Sequence, residues 1–227
     1  MTRQLRGEPL TKLLRKSSPP DFAALLRATG IHLRRCHEIV YLFPGYLADA
    51  QGPQSAPEEG GWIHFYCSAA FMQETSLSWF EKNRPNLPPA LAQELRERLL
   101  TLQRTLAPEF EPPRFIQGDC HAHQFYLFQE HGRWTVSGSI DMEVASAGAP
   151  ICDLLKFCKE MADGFPTERR WWDPFFEGYG STPDFERFRL LMLGDCAGGS
   201  ASRIEQLLSA LKWEELFRSS LVSPTTS

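Results

Sequence analysis

The spacing of the hydrophobic residues changes near the middle of the chain, and this change limits the folds that the chain can adopt. From Pro89 to Leu106, leucines recur at the three- and four-residue intervals of an amphipathic helix. Between residues 114 and 140 the pattern is that of short strands, and residues 130–133 have the length of a hairpin turn. Beyond Pro150 the helical spacing returns. The sequence therefore predicts an α+β fold that is mainly helical, with a small β-hairpin region in its middle.

Loops and helix ends divide the rest of the chain. Asp21 is predicted to cap a helix that runs to about residue 37, and Gly30 is expected to weaken or split this helix. Residues 46–61 are polar and rich in glycine and proline, which is typical of a flexible loop. The tail 218–227 is expected to be frayed. Further helices are predicted after the hairpin region, over residues 150–163, 167–179, 184–196 and 200–217.

Composition and charge exclude several classes of protein. The length of 227 residues suits a single domain. A formal net charge of −4 argues against a nucleic-acid-binding protein, which needs a basic surface. No apolar run approaches the ~18 residues of a membrane-spanning helix, and the N-terminal residues lack the apolar stretch of a secretory signal. Six cysteines without a C-x-x-C pair indicate reduced thiols, so we expect a cytoplasmic protein that does not enter a membrane.

Two aspartates follow predicted strands in the hairpin region. Asp119 comes after the strand 114–117, and Asp141 comes at the end of the strand that begins at Trp134. We expect these strands to place both carboxylates at one end of one hairpin, together with the amide oxygen of Gln124. Such an all-oxygen set suits Mg²⁺, which takes its remaining ligands from phosphates and water. The pattern indicates phosphoryl transfer, in which catalysis consists mainly of positioning and charge neutralisation.

Two motifs in this region carry a family resemblance. The first is Gln117-Gly-Asp-Cys-His-Ala-His-Gln124, and the second is Ile140-Asp-Met-Glu-Val-Ala-Ser-Ala-Gly-Ala-Pro-Ile-Cys-Asp-Leu154. They resemble the catalytic loop H-G-D-x-H-x-x-N and the metal segment I-D-[WF]-E-x-A-x-x-G-x-P-x-x-D-L of the aminoglycoside phosphotransferase and choline kinase family. The resemblance implies a protein-kinase-like fold, with the β-hairpin region carrying the catalytic and metal loops.

The resemblance also implies a role for each motif residue. Asp119 lies at the position of the catalytic base that accepts or orients the proton of the substrate hydroxyl. Asp141 lies at the position of the principal Mg²⁺ ligand, Gln124 replaces the metal-binding Asn of the family, and Glu143 is a further metal ligand. Structural support of the catalytic loop is assigned to two residues, His121 and Asp153, the latter accepting hydrogen bonds from the backbone or from His121.

The extent of the resemblance suggests which part of a kinase-like fold is present. Leu5 to Leu10 resembles the interlobe hinge, so residues 1–227 are interpreted as one C-terminal lobe that begins with a hinge-like segment, 1–20. No G-x-G-x-x-G motif occurs, and we expect the N-terminal lobe to be absent. The implied activity is ATP- and Mg²⁺-dependent phosphorylation of a hydroxyl on a small aminoglycoside- or choline-like acceptor. The alternative is a non-catalytic kinase-like binding module, or a truncated fragment that lacks the nucleotide-gripping lobe.

Other reactive or aromatic residues are given structural interpretations. His121 and His123 have the spacing that opens the metal centre of amidohydrolase barrels, but only His131 follows them, so a centre of that kind is not expected. Cys120 lacks the surroundings of a thiol nucleophile. The aromatic residues between positions 171 and 179 are predicted to pack in the core.

Overall fold

Helices form most of the fold, and two small antiparallel sheets lie among them, which confirms the predicted α+β class. The computed structural model describes residues 5–47, 52–54, 68–165 and 167–218. The α-helices are α1 (Leu10–Lys16), α2 (Pro19–His37), α3 (Ala69–Asn83), α4 (Pro89–Leu99), α5 (Leu102–Leu106), α6 (Pro150–Gly164), α7 (Trp172–Tyr179), α8 (Phe185–Asp195), α9 (Ala201–Ser209) and α10 (Trp213–Leu216). The strands are β1 (Glu8–Pro9), β2 (Gly45–Tyr46), β3 (Arg114–Ile116), β4 (Phe125–Glu130), β5 (Arg133–Ser139) and β6 (Ser146–Gly148).

The predicted hairpin is present, but the strand before Asp119 does not belong to it. β4 and β5 pair through the turn at residues 131–132, and β1 adds to the other edge of β4. β3 instead pairs with β6 in a second sheet of order β2-β6-β3, where Phe115 lies opposite Ala147. The expectation that one hairpin carries both aspartates was therefore wrong, because Asp119 and Asp141 extend from strands of two different sheets.

Helix α2 differs from its prediction at both Asp21 and Gly30. The N-cap is Ser18, whose hydroxyl accepts a hydrogen bond from the backbone N–H of Asp21. The helix then continues without interruption through Gly30. A Cβ atom on Gly30 would lie 2.2 Å from the carbonyl oxygen of Phe175. Glycine is present because α2 and α7 approach each other closely at this point, and packing outweighs its low helix propensity.

Two segments predicted as single helices are each divided into two α-helices, and the predicted helix 167–179 consists of a 3-10 turn followed by α7. The leucine-rich segment breaks at Thr101, whose hydroxyl donates to the carbonyl oxygen of Arg98 and so competes with helical hydrogen bonding. The segment 200–217 breaks at residues 210–212, where the backbone is extended at Ala210 and Lys212. Local side-chain and backbone preferences of this kind do not change the hydrophobic spacing, so these helix breaks cannot be predicted from that spacing.

Some predicted segments fall partly outside the described residues. Of the loop 46–61, Tyr46 belongs to β2 and its backbone pairs with that of Gln54, whereas 48–51 and 55–61 lie outside the described residues. The same holds for 219–227 of the predicted frayed tail and for residues 1–4 of the hinge-like segment. Residues 5–20 contain β1, α1 and the start of α2.

The aromatic residues around α7 pack in the core, as predicted. Trp171 and Trp172 are almost completely buried. Phe175 stacks on Phe157 of α6, with the ring centroids 4.1 Å apart. This packing fixes α6, the helix that carries Asp153, against the body of the molecule. Within the described ranges, no helix combines the length and the apolar character needed to cross a membrane.

Candidate functional site

A buried glutamine joins the loop that carries Asp119 to the segment that carries Asp141. Gln124 ends a short 3-10 turn, and its side chain is inaccessible to solvent. Its Oε1 accepts hydrogen bonds from the backbone N–H of His121 at 2.8 Å and from Nε2 of Gln117 at 2.7 Å. Its Nε2 donates to Oδ2 of Asp141 at 3.2 Å. The structure thus brings the predicted catalytic loop and the predicted metal segment together.

These bonds fix which way the Gln124 amide faces. A backbone N–H can only donate, so the side-chain oxygen must face His121 and the side-chain NH₂ must face Asp141. The oxygen that was predicted to bind the metal is engaged in two other hydrogen bonds. In this arrangement the amide holds the carboxylate of Asp141 through an N–H group, and metal binding by Gln124 stays a prediction.

Asp141 adopts an unusual backbone conformation. Its φ angle is +66°, in the left-handed region that residues other than glycine rarely adopt. Its side chain is exposed. The preceding residue is clamped on both sides: Ile140 O accepts from Nε2 of Gln117, and Ile140 N–H donates to the carbonyl oxygen of Gln124. A strained conformation of this kind costs about 1–3 kcal/mol and persists only where the surroundings enforce it. Its effect here is to point an accessible carboxylate outwards from a rigid support.

Asp153 braces the other end of the Asp119 loop. It is fully buried in the first turn of α6, where Oδ2 accepts from the backbone N–H of Gln117 at 2.8 Å and Oδ1 accepts from that of Gly118 at 2.9 Å. Backbone donors were one of the two arrangements expected for this residue. The imidazole partner is His37, whose Nε2 lies 3.1 Å from Oδ2, and not His121.

His37 was not singled out by the sequence, although it ends α2. Its Nδ1 lies 2.8 Å from the hydroxyl oxygen of Tyr179. Burial, followed by the nearby carboxylate of Asp153, raises the pKa of Tyr179 far above its usual range, so the hydroxyl remains protonated. The imidazole contacts Tyr179 through Nδ1 and Asp153 through Nε2, and so links α2 and α7 to the loop.

Asp119 lies at one end of a row of carboxylates and imidazoles. Its Oδ1 lies 3.1 Å from Nε2 of His121, and its side chain is 38% exposed. On the far side of that ring, Nδ1 of His121 lies 3.6 Å from Oε2 of Glu160, and Nδ1 of His123 lies 2.8 Å from Oε1 of the same carboxylate. A carboxylate that accepts an imidazole hydrogen bond and is open to solvent can orient a hydroxyl group.

Electrostatic interactions within this row of side chains favour the charged forms of His121 and Glu160. The hydrogen bond to Glu160, together with the charge of Asp119, raises the pKa of His121 against the effect of partial burial. Partial burial likewise opposes ionisation of Glu160, but hydrogen bonds from His121 and His123 lower its pKa to about 2. Glu160 was also missed by the sequence analysis. Its position on α6, seven residues and two turns after Asp153, places both acids on the same side of that helix and is the signal that could have identified it.

The remaining predicted residues do not join this network. Glu143 is exposed, and its backbone carbonyl oxygen accepts a hydrogen bond from the hydroxyl of Tyr46. Cys120 is fully buried, and burial raises the pKa of its thiol well above the usual range, which agrees with its interpretation as an inert residue.

Comparisons with known proteins agree with the interpretation drawn from the geometry. The model of a family described as "Phosphotransferase enzyme family" matches residues 2–191. None of the curated proteins searched matches the chain. Aminoglycoside phosphotransferase APH(3'')-Id from Streptomyces rimosus, solved with ADP and streptomycin, superposes with a TM-score of 0.55 and 19% identity over 87% of this chain and 69% of that chain.

A second solved structure gives a similar result. The ADP-bound aminoglycoside phosphotransferase APH(2'')-Ib has a TM-score of 0.50 and 15% identity, over 92% of this chain and 63% of that chain. At such identities the likeness shows a shared fold, and the chain spans about two thirds of the length of these two structures. The structural similarity confirms the predicted kinase-like fold. The reaction that a protein of this fold catalyses depends on the residues of its site and does not follow from the fold.

Proposed function

The chain belongs to the phosphotransferase enzyme family, and we propose that it transfers a phosphoryl group from ATP to a hydroxyl group of a small molecule. The observation that carries this proposal is the buried bridge formed by Gln117 and Gln124, which holds the loops of Asp119 and Asp141 together. Phosphoryl transfer needs positioned charges more than covalent chemistry by the protein. Two accessible carboxylates on one rigid support meet that need.

Asp119 is proposed as the group that receives the acceptor. Its solvent-exposed carboxylate would accept a hydrogen bond from the substrate hydroxyl and take its proton as the new bond to phosphorus forms. The bond from His121 holds one carboxylate oxygen in place. The braces from Asp153 to the amides of Gln117 and Gly118 keep the loop from moving when the acceptor binds.

Asp141 is proposed as the principal ligand of Mg²⁺. One of its oxygens accepts an amide hydrogen bond from Gln124, and its side chain faces solvent. A single such carboxylate suits Mg²⁺, which retains waters and also binds phosphate oxygens. Glu143, exposed on the same segment, is proposed as a further oxygen ligand. When bound, Mg²⁺ supplies neutralisation of the negative charge on the phosphates.

The acceptor is proposed to be a cationic alcohol of the aminoglycoside or choline type. The carboxylates of Asp119, Asp141 and Glu143 give this face negative charge, which attracts positively charged groups. The APH(3'')-Id structure that shares the fold was solved with streptomycin, a compound of this chemical class. Cytoplasmic ATP would then serve as the phosphoryl donor.

The experiment is a phosphorylation assay with ATP and Mg²⁺ against a panel of aminoglycosides, choline and ethanolamine. We expect turnover with at least one acceptor, and Asp119→Asn should lower kcat by about 10²- to 10⁴-fold because it removes a general base. Asp163→Asn, an exposed acid on α6, is the matched control and should leave kcat unchanged. Full activity of Asp119→Asn would exclude the proposed base.

A second candidate function is a kinase-like module that binds its ligands without transferring phosphate. The orientation of Gln124 favours it, because an N–H group faces Asp141 where a metal ligand was predicted. Calorimetry separates the two functions. Binding of ATP·Mg²⁺ or of an acceptor without turnover supports the binding module, whereas turnover that depends on Asp119 supports the phosphotransferase.

A further inference from the structure

Two histidines and a glutamate form a compact set of metal-ligand atoms beside the Asp119 loop. His121 and His123 are two residues apart, and their rings stack with centroids 5.4 Å apart and planes at 28°. Glu160 reaches them from α6. One ligand atom from each of the three side chains lies within 4.8 Å of the other two. Both imidazoles and the carboxylate therefore face a common point.

The spacing of these atoms is close to that of a tetrahedral zinc centre. Zn²⁺ binds nitrogen at about 2.0–2.1 Å and carboxylate oxygen at about 2.0–2.2 Å, so neighbouring ligand atoms lie ~3.4 Å apart. The observed separations run to the two different oxygens of the Glu160 carboxylate: 2.8 Å between Nδ1 of His123 and Oε1, and 3.6 Å between Nδ1 of His121 and Oε2. Small side-chain rotations bridge the difference. Because the His123 side chain is 53% exposed, an ion can enter from solvent.

Hydrogen bonds around the set already orient it for a metal. When a metal displaces the proton on Nδ1 of His121, Nε2 keeps its proton and donates to the carboxylate of Asp119, which lies 3.1 Å away. A carboxylate that accepts the far N–H of a ligand histidine is the usual outer partner in zinc sites. The backbone N–H of His123 donates to Oε2 of Glu160 at 3.3 Å and positions that carboxylate.

We propose that His121, His123 and Glu160 bind a divalent transition metal, for which Zn²⁺ is the best fit, and leave a fourth position open. Two imidazole nitrogens exclude Mg²⁺ as the preferred ion, since Mg²⁺ selects oxygen ligands. This site is separate from the proposed Mg²⁺ site at Asp141 and does not depend on phosphoryl transfer.

The test measures metal binding by the full chain without an affinity tag. We expect one Zn²⁺ per chain by equilibrium dialysis and elemental analysis. Co²⁺ should give the visible absorption of a tetrahedral nitrogen and oxygen site without a thiolate charge-transfer band. His123→Ala and Glu160→Gln should each weaken binding at least tenfold. His131→Ala, which removes a histidine from the exposed hairpin turn, is the matched control and should bind as the parent does.

Any one of the following results would overturn the proposal. Undiminished Zn²⁺ binding in His123→Ala and Glu160→Gln, an equal loss in His131→Ala, or a thiolate band in the Co²⁺ spectrum would place the metal elsewhere. Absence of stoichiometric binding by the parent chain at micromolar Zn²⁺ has the same consequence. Circular dichroism of all the variants checks folding, and the Co²⁺ spectrum of the parent chain decides the ligand type without any substitution.

Discussion

At the scale of single residues, Asp153 shows how one buried charge organises a loop. Its two oxygens accept from two backbone amides and one imidazole, and nothing of the side chain reaches solvent. A buried carboxylate costs solvation free energy that only such a complete set of donors offsets. These bonds fix the geometry of Gln117 and Gly118, the two residues that immediately precede Asp119.

Asp153→Asn is expected to destabilise the fold by about 2–4 kcal/mol, because the new NH₂ group faces a donor and one buried amide loses its acceptor. Urea unfolding measures the loss. Asp163→Asn on the same helix, at an exposed position, should change the free energy of unfolding by no more than about 0.5 kcal/mol. Equal effects of the two substitutions would contradict the bracing role.

Gln124→Glu tests the orientation of the bridging amide. The new carboxylate keeps the two bonds from His121 and Gln117 but replaces the donor to Asp141 with a second negative charge. We expect a loss of about 1–3 kcal/mol in the absence of metal, since neighbouring carboxylates repel. Added Mg²⁺ should raise the Tm of the variant more than that of the parent, because two carboxylates then bind the cation. An equal Mg²⁺ response in both proteins contradicts this prediction.

At the scale of elements, the contact between α2 and α7 depends on small residues. Gly30 of α2 faces the backbone of Phe175 and Tyr179, and Gly178 of α7 faces the backbone of Arg27. Removing the side chain at both positions allows the two helices to approach until backbone meets backbone. This contact matters for the site because His37 and Tyr179, which support Asp153, lie at the ends of these same helices.

Gly30→Ala should therefore destabilise the protein by about 1–3 kcal/mol, although the same substitution stabilises an exposed helix by about 1 kcal/mol. The new Cβ would lie 2.2 Å from one backbone atom and 2.7 Å from another. Gly164→Ala, at the end of α6 with no neighbour within 4 Å, is the control and should be neutral or stabilising. Thermal unfolding of both variants gives the comparison. Effects of the same sign would show that packing does not determine the residue at position 30.

The junction of β1 and α1 carries a pH-dependent contact. Glu8 accepts from Lys12 and Lys16, each at 2.6 Å, and these bonds lower its pKa from 4.5 to about 2. A lowered pKa in the folded state stabilises the fold above pH 4.5, and this contribution disappears as the pH falls to about 2. The Tm difference between the parent and Glu8→Gln should follow that course at low salt. A Tm difference that does not change with pH would contradict stabilisation by these ion pairs.

At the scale of the whole molecule, the sequence predicts the class of fold and the place of the site better than the contacts within it. The change of hydrophobic spacing predicts the hairpin, and two motifs identify the loops of Asp119 and Asp141. The pairing of β3 with β6 is not predictable in this way, because such short strands have little pattern of their own. Nor are the roles of His37, Glu160 and the Gln124 amide, which depend on tertiary hydrogen bonds between distant residues.

The brace between His37 and Asp153 joins residues 116 positions apart. Closing so long a segment costs chain entropy before any contact repays it. During synthesis, α2 leaves the ribosome well before α6, at about 5–20 residues per second. The nascent chain therefore holds His37 without Asp153 until α6 has been translated, and only then can the brace fix the loop of Asp119.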